Sequence, residues 1–351
     1  MTLPEFLQSR QLDSTLLLGF YGGGNYGDEL LMEVLAGLLK KQGSTGVSIA
    51  FQHPETYKIF HHEFGYDRVN MHSRKAIIKA ILGKKNIVVG GGGLWGLDAN
   101  LNVLIMSIML FLSRWLLGKK VYLLAIGYYN SSPRIGRLGA WFAGKAANTI
   151  IARDDETYQN FKRLNKHTEQ DTDIAWYISQ LDLESYKADA ERLDSQVSIQ
   201  GKTIFITLRR FKEGYKNSLV EVVDSYLQQN TNRHIIVALM EPRHIDPQGY
   251  KLLEKWQHDY PNIQILDFAF NPLALFLFFR KHHNNLLFIG PQFHAILSAH
   301  LTGVPYLPLV YDNKVQNLLR SIAPAAKPLS IQSLQATDIQ RFIDSTYGAT
   351  V

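Results

Sequence analysis

Two side chains in the second half of the chain have the chemistry that proton transfer and anion binding require. His294 opens a helical pattern directly after the apolar run 286–289, and an imidazole beside a bound anion can act as a general acid near neutral pH. Arg209 follows the apolar run 203–208, where a planar guanidinium suits a carboxylate or a phosphate. Its neighbour Arg210 would face the opposite way. The pair predicts a site for an anionic substrate, although both residue types are also common in structural or surface positions.

Two glycine-rich segments in the first half each follow an apolar run that predicts a strand. The first reads GGGNYGDE from Gly22 to Glu29, and the second reads GGGGLWG from Gly90 to Gly96. Glycine lets the backbone approach a ligand closely, and the amides at the start of a following helix favour an anion. We therefore expect both segments to line a ligand site. The expected contact residues are Gly24, Asn25, Asp28, Glu29, Gly91, Gly92 and Gly93.

The first glycine segment has two competing interpretations. It fits G-x-G-x-x-G, but Gln52 and His53 stand where a dinucleotide-binding fold places an acid for the ribose. Asp28 and Glu29 would also put negative charge where a pyrophosphate would bind. We therefore expect no nicotinamide or flavin cofactor. A tight turn capped by Asn25 or Asp28 remains the structural alternative.

Metal and thiol chemistry have little support in the sequence. The chain has no cysteine, which excludes disulfides, thiol nucleophiles and cysteine-ligated metals. Asp171 and Asp173 form a D-x-D pair like that of some glycosyltransferases, but no cluster of further metal ligands accompanies them. We therefore expect no metal and keep Asp173 as a residue of the ligand site. The histidine pairs at 61–62 and 282–283 are expected on solvated faces.

The elements that position these residues follow from the alternation of apolar, β-branched runs with helical patterns, which is typical of parallel α/β sheets. The polar stretch 180–201 separates two similar halves, and 351 residues suffice for two domains. We therefore predict two Rossmann-like doubly wound domains, 1–185 and 186–351, that face a cleft. Ligands bind beyond the carboxyl ends of such strands. The last helix could belong to the second domain or pack back on the first.

Net charge and the apolar segment 101–117 bear on where the protein works. The net charge of +6 favours anionic partners, of which we expect phosphates or lipid headgroups and not nucleic acid. The start of the sequence lacks the basic region of a signal peptide, so we expect a cytoplasmic protein. Segment 101–117 is borderline short for a membrane span, and a buried helix is the favoured interpretation. A helix in the membrane interface, at the inner face of the membrane, is the remaining alternative.

Six segments taken in order resemble the polysaccharide pyruvyl transferase family. They are GFYGGGNYGDELL, VVGGGGLWG, IARDDET, TDIAW, ITLRR and GPQFHAILSAHLTGVPYLPLVYDNK, and together they run from Gly19 to Lys314. The resemblance implies a GT-B-like arrangement of two Rossmann-like domains. It also implies phosphoenolpyruvate as donor co-substrate, no other cofactor, and a saccharide acceptor that is often lipid-linked or part of a surface polymer such as an exopolysaccharide. The product would be a pyruvate ketal.

The resemblance also assigns roles to residues. His294 matches the histidine proposed as general acid, and Arg209 matches an arginine of the donor pocket. Gln292, Phe293 and Lys314 complete the expected donor-binding set, and the first domain is the expected acceptor side. The family commonly has arginine where this chain has Gln292. Two alternatives stay open: a GT-B glycosyltransferase that uses a nucleotide sugar, and a catalytically silent homologue that binds a saccharide.

Overall fold

The computed structural model describes residues 1–53, 65–97, 99–209, 218–267, 271–311, 313–323 and 328–347. The chain divides into two compact units. Unit 1 comprises Met1–Gly23 and Asp28–Asp182, and unit 2 comprises Gly24–Gly27 and Leu183–Val351. The predicted boundary lay between residues 185 and 186, whereas the structure divides the chain after Asp182 and adds four residues of the first glycine segment to unit 2.

Unit 1 is an α/β unit built on parallel strands. Its strands are β1 (Thr15–Leu18), β2 (Ser48–Phe51), β3 (Asp67–Asn70), β4 (Asn86–Gly90), β5 (Lys120–Ile126), β6 (Thr149–Ala152) and β7 (Thr168–Gln170). Its helices are α1 (Leu3–Ser9), α2 (Tyr26–Lys41), α3 (Arg74–Gly83), α4 (Leu101–Trp115), α5 (Arg134–Ala146) and α6 (Asp155–Lys162), followed by a 3-10 helix at Ile174–Gln180. Within the described part of the chain the seven strands form one sheet in the order β3-β2-β1-β4-β5-β6-β7.

The order of the strands in unit 1 creates a switch point between β1 and β4. From β1 the chain moves outward to β2 and β3, and it then returns to pair β4 with the other side of β1. Parallel sheets bind ligands at the carboxyl edge beside such a reversal. Both glycine segments begin there, because the first follows β1 and the second starts at the end of β4.

Helix α4 is buried on one face only, which corrects the expectation of a buried core helix. Val103, Met106 and Leu110 pack into the core of unit 1, whereas Ile105 and Leu112 on the opposite face are exposed. Each turn of this helix carries apolar residues all round, so the sequence pattern does not reveal which face the sheet covers. Among the described residues, no helix is long and apolar enough to cross a membrane.

Unit 2 repeats the same design. Its strands are β8 (Thr203–Leu208), β9 (Ile235–Leu239), β10 (Ile263–Ile265), β11 (Leu286–Gly290), β12 (Tyr306–Val310) and β13 (Leu329–Ser330). Its further helices are α7 (Lys187–Asp194), α8 (Ser218–Gln229), α9 (Pro247–Asp259), α10 (Pro272–His282), α11 (Phe293–Thr302), α12 (Asn313–Ile322) and α13 (Ala336–Tyr347), with 3-10 helices at Glu184–Tyr186 and Ile331–Ser333. Its six strands, counted over the described residues, are all parallel and lie in the order β10-β9-β8-β11-β12-β13.

The switch point of unit 2 lies between β8 and β11, for the same topological reason as in unit 1. The segments after these two strands carry Arg209 and His294, so the fold brings both ends of the predicted donor site to one edge. The last helix, α13, packs on α8 within this unit, with Ile339 and Ile343 in the core. The predicted fold class of two Rossmann-like α/β domains with parallel sheets is confirmed.

Candidate functional site

His294 sits in the first turn of α11 against a glycine that leaves no room for a larger residue. A Cβ added to Gly27 would lie 2.1 Å from Nδ1 of His294, well inside any allowed contact. The ring of Phe293 meets the imidazole edge-on with 4.9 Å between the ring centroids, and Nε2 of His294 is shielded from solvent. The imidazole is therefore held in a close-fitting setting within unit 2 and is only half-buried as a whole.

Gln292 joins the carboxyl ends of the two central strands of unit 2. Its Oε1 accepts a hydrogen bond from Oγ1 of Thr207 at 2.6 Å, and its Nε2 donates to the carbonyl oxygen of Leu208. Gly290 makes this approach possible, since a Cβ there would lie 2.0 Å from Oγ1 of Thr207. A glutamine can accept and donate at once, whereas the arginine that the family commonly has could only donate.

Arg209 rests on an aromatic side chain that the sequence analysis missed. Its Cζ lies 4.5 Å from the centroid of the Tyr311 ring, and its Nη1 donates to the Tyr311 hydroxyl. Cation–π contact of this kind holds a guanidinium without neutralising it. The sequence does carry a signal for this contact, because Tyr311 is an aromatic residue directly after β12. Lys314 lies in the first turn of α12 and is half-buried, while Arg210 lies outside the described residues.

A narrow cavity in unit 2 brings three of the predicted residues together. Asn25, Arg209 and Gln292 contribute to its wall, along with the acids Glu241 and Asp246. Its volume is about 20 Å³, room for about one water molecule, so a larger ligand requires side chains to move. Asp246 is buried and caps α9 by accepting from the amide of Gly249 at 3.0 Å, which accounts for one of the two acids.

Four residues of the first glycine segment are integral to unit 2. The amide of Tyr26 donates to the carbonyl oxygen of Met240 at 3.0 Å, and its hydroxyl is 2.8 Å from Oγ of Ser298. Burial raises the pKa of Tyr26, which keeps the phenol neutral. Oδ1 of Asn25 accepts from the amide of Gly27 at 3.0 Å, so the side chain caps the start of α2.

Asp28, Glu29 and the second glycine segment meet in unit 1. Glu29 is fully buried, and its Oε2 accepts from the amide of Gly22 at 3.1 Å, so it anchors its own loop. Oδ1 of Asp28 lies 3.4 Å from the position of a Cβ added to Gly92, and Gly92 itself has a φ of 82° that favours glycine. Burial, and next the charges of Asp28 and Glu29, raise the pKa of the neighbouring Tyr21. The structure brings these predicted residues together around the end of β4.

The other two expected contact residues of the second segment, Gly91 and Gly93, flank Gly92 at the end of β4. Gly91 has a φ of 70°, and a Cβ there would lie 2.9 Å from Leu31 of α2. Gly93 accepts a hydrogen bond at its carbonyl oxygen from the amide of Gly96 at 2.9 Å, which closes the turn. Close packing against α2 therefore explains why residue 91 is a glycine, and contact with a ligand is not needed to explain it.

Asp173 forms a buried ion pair with Arg153. Its Oδ2 accepts from Nη1 of Arg153 at 3.0 Å, and its Oδ1 accepts from the amide of Ala175 at 3.0 Å. Nη2 of Arg153 also donates to the Tyr129 hydroxyl at 2.7 Å. Burial alone would lower the pKa of Arg153, but the nearby Tyr129, Asp173 and Asp154 outweigh burial and raise it. The sequence analysis did not name Arg153 as a site residue, although Arg153 lies within the IARDDET segment.

Asp171 of the D-x-D pair and His282 both have protein partners of their own. Asp171 accepts from the Tyr177 hydroxyl at 2.7 Å, separately from the contacts of Asp173. Over the residues that the structure describes, no group of three or more histidine, aspartate or glutamate side chains could hold a metal ion. His282 was expected on a solvated face, but its Nε2 lies 2.7 Å from Oδ1 of Asp194 and the ring is half-buried. His283 is exposed, and residues 61–62 lie outside the described residues.

Comparison with known proteins places the chain by family and by fold. The family model for polysaccharide pyruvyl transferase matches residues 25–313. A search of curated protein sequences found no significant match.

Three similar solved structures share the fold across nearly the whole chain. A UDP-GlcNAc 2-epimerase from Neisseria meningitidis, bound to UDP-GlcNAc, is 13% identical with a TM-score of 0.57 over 95% of this chain and 99% of its own. The Anabaena protein HepE in complex with UDP-glucose is 12% identical with a TM-score of 0.58 over 94% and 89%. A UDP-N-acetylglucosamine 2-epimerase from Rickettsia bellii is 12% identical with a TM-score of 0.53 over 96% and 97%. At such identities the likeness shows the fold alone.

Proposed function

Because the chain belongs to the polysaccharide pyruvyl transferase family, we propose that it transfers the enolpyruvyl unit of phosphoenolpyruvate to two hydroxyls of a saccharide. Protonation of the methylene carbon leaves a cationic C2, which one hydroxyl attacks with loss of its proton. Phosphate then departs from C2, and the second hydroxyl adds to C2 with loss of its proton, which closes the ring as a pyruvate ketal. The net reaction consumes phosphoenolpyruvate and a diol and yields the ketal and inorganic phosphate, with phosphoenolpyruvate as the sole co-substrate.

The observation that carries this proposal is the grouping of an imidazole, a guanidinium and an amide at the switch point of unit 2. His294 delivers the proton to the methylene carbon, because a positioned acid is what the first step requires. Arg209 leaves the Tyr311 ring to pair with the donor carboxylate or phosphate, for which its planar fork is suited. Gln292 has one amide hydrogen beyond the one donated to Leu208, and this hydrogen serves the same anion. Phe293 and Lys314 complete the donor side.

The acceptor side is assigned to unit 1. Asp28 lies beside Gly92 at the end of β4, and its half-buried carboxylate can bind sugar hydroxyls. The family name supports a saccharide as the acceptor, and we propose a lipid-linked or polymeric glycan such as an exopolysaccharide precursor. The absence of cysteine fits a reducing compartment, so we place this reaction in the cytoplasm.

The test combines turnover with a matched pair of histidine variants. Protein, phosphoenolpyruvate and a panel of candidate glycans should release inorganic phosphate, and the product should return free pyruvate on mild acid treatment. His294→Gln should lower turnover by about 100- to 10,000-fold, with phosphoenolpyruvate binding retained. His258→Gln is the control, because His258 is 89% exposed on α9 of the same unit. Equal activity in the two variants would remove His294 from the chemistry.

A nucleotide-sugar glycosyltransferase is the second candidate, because two of the similar solved structures hold UDP-sugars. The two functions are distinguished by which ligand raises the melting temperature of the protein. Stabilisation by phosphoenolpyruvate supports pyruvyl transfer, whereas stabilisation by UDP-sugars alone supports glycosyl transfer, since a ligand stabilises only the state that binds it. Binding of glycans without turnover of either donor would identify a silent homologue, the third alternative that Gln292 raises.

A further inference from the structure

The outer face of unit 1 carries a continuous apolar surface on helix α4. Leu101, Ile105, Leu112 and Trp115 recur at helical spacing and are all exposed, with Trp115 exposed to 63%. They lie opposite the side chains of α4 that pack into the core, as the 3.6-residue period requires. Exposed large apolar side chains are unremarkable singly, but a contiguous row on one helix indicates an interaction surface.

The neighbouring helices α3 and α5 extend this surface. Ile78 and Leu82 of α3 and Leu138 and Trp141 of α5 are exposed. The buried sides of α3, α4 and α5 all pack into one core cluster, so the three helices cover the same side of the sheet. We call their exposed surfaces together the docking face.

Aromatic contacts join α4 to α5 within the docking face. Phe111 stacks on Trp141 with 6.3 Å between ring centroids, and it also lies 6.2 Å from the ring of Trp115. Two exposed tryptophans therefore contact the same phenylalanine, and each has an indole N–H as well as apolar area. Tryptophan prefers the boundary between water and hydrocarbon for this reason.

The charge of the docking face has one sign. The sequences of α3, α4 and α5 contain no aspartate or glutamate, whereas they carry exposed bases such as Lys75, Lys79, Arg137 and Lys145. Lys119 follows α4, which ends at Trp115, and it lines a cleft with Lys85, Lys120 and one acid, Asp13. Basic residues that surround exposed tryptophan and leucine are the pattern of a helix that lies in the plane of an anionic membrane.

We propose that the docking face binds the surface of an anionic lipid bilayer. Nζ of Lys119 donates to the carbonyl oxygens of Leu82 and Lys84 at 2.7 Å each, which ties the segment after α4 to the end of α3. A second copy of the chain fits this face poorly. A two-fold dimer would press the face against itself and so bring the basic residues of the two copies close together. Membrane docking concerns a surface of unit 1 and does not depend on the proposed chemistry.

Vesicle binding tests the proposal directly. The full-length protein should sediment with phosphatidylcholine vesicles that contain phosphatidylglycerol, and far less with phosphatidylcholine alone or at high salt, because the attraction is partly electrostatic. Leu112→Ser with Trp115→Ser should weaken binding by about tenfold or more, given the apolar area that each side chain would bury. An unchanged melting temperature establishes that this doubly substituted protein is folded.

Charge reversal provides a matched control. Lys75→Glu with Lys79→Glu on α3 should weaken binding to the anionic vesicles by at least about 30-fold, at about fivefold per lysine. Lys251→Glu with Lys255→Glu makes the same change in net charge on exposed positions of α9 in unit 2, and should leave binding nearly unchanged. Equal loss in both variants would mean that net charge attracts the protein without a defined face, and the proposal would fail.

Tryptophan fluorescence locates the contact. Brominated lipids in the anionic vesicles should quench Trp115 and Trp141, while the buried Trp95 and Trp256 keep their emission. Trp115→Phe with Trp141→Phe should abolish that quenching. The proposal is overturned if the wild-type protein binds neither vesicle. It is also overturned if light scattering finds a dimer that Leu112→Ser with Trp115→Ser converts to a monomer.

Discussion

Replacement of Gly27 by alanine is the most direct test of how His294 is held. The added Cβ would lie 2.1 Å from Nδ1, and ordinary van der Waals contact begins at 3.4 Å, so the imidazole would have to move by about 1.3 Å. Such overpacking costs about 1–3 kcal/mol of the free energy of unfolding. A displacement of this size in a positioned acid lowers turnover by about 100-fold.

Gly83→Ala is the matched control for that experiment. Gly83 closes α3, and nothing lies within 4 Å of a Cβ added there, so the same chemical change meets open space. The free energy of unfolding from urea titration and the NMR resonance of the His294 ring, assigned by its loss in His294→Gln, provide two readouts. We expect both to change in Gly27→Ala and neither to be impaired in Gly83→Ala. A Gly27→Ala protein with a wild-type imidazole resonance and stability would refute the contact.

Three further variants address the other predicted residues. Gln292→Arg should tighten phosphoenolpyruvate binding, and the gain should be larger at low salt. The same change should lower the melting temperature, because Oγ1 of Thr207 loses its acceptor. Weaker phosphoenolpyruvate binding would show that the pocket is built for the glutamine. Arg209→Ala should weaken phosphoenolpyruvate binding by about 1.5–3 kcal/mol in calorimetry, and unchanged affinity would move the role elsewhere. Asp173→Asn should lower the free energy of unfolding by about 3 kcal/mol in urea titration, because the charge of Arg153 stays buried without its partner carboxylate. A loss well under about 1 kcal/mol would contradict the buried ion pair.

The central strands could be predicted from sequence, because each is a buried apolar run. The apolar run 203–208 coincides with β8, and the apolar run 286–289 covers all of β11 except its last residue. The strands that the sequence analysis missed are β3, β7 and β13, and all three lie at an edge of their sheet. Edge strands bury few side chains, and Asp67–Asn70 has a single buried residue among four. The apolar pattern is therefore too weak to predict a strand there.

The candidate site was predictable to the level of strand ends and no further. Parallel topology brings Arg209 and His294 to one edge, which apolar runs alone can establish. The partners of these residues depend on side-chain geometry between distant segments. Thr207 meets Gln292 across 85 residues, and Tyr311 meets Arg209 across 102 residues. The sequence carries no local record of such pairs.

The membership of Gly24–Gly27 in unit 2 has a consequence for chimeric proteins. A recombination point after Asp182 appears natural along the sequence, yet a fragment that begins at Leu183 would lack the Tyr26 hydroxyl that meets Ser298 and the amide that binds Met240. The glycine that shapes the space around His294 would also come from the other parent. Exchange of unit 2 between relatives therefore has to carry this tetrapeptide with it, as a second graft between two segments of unit 1.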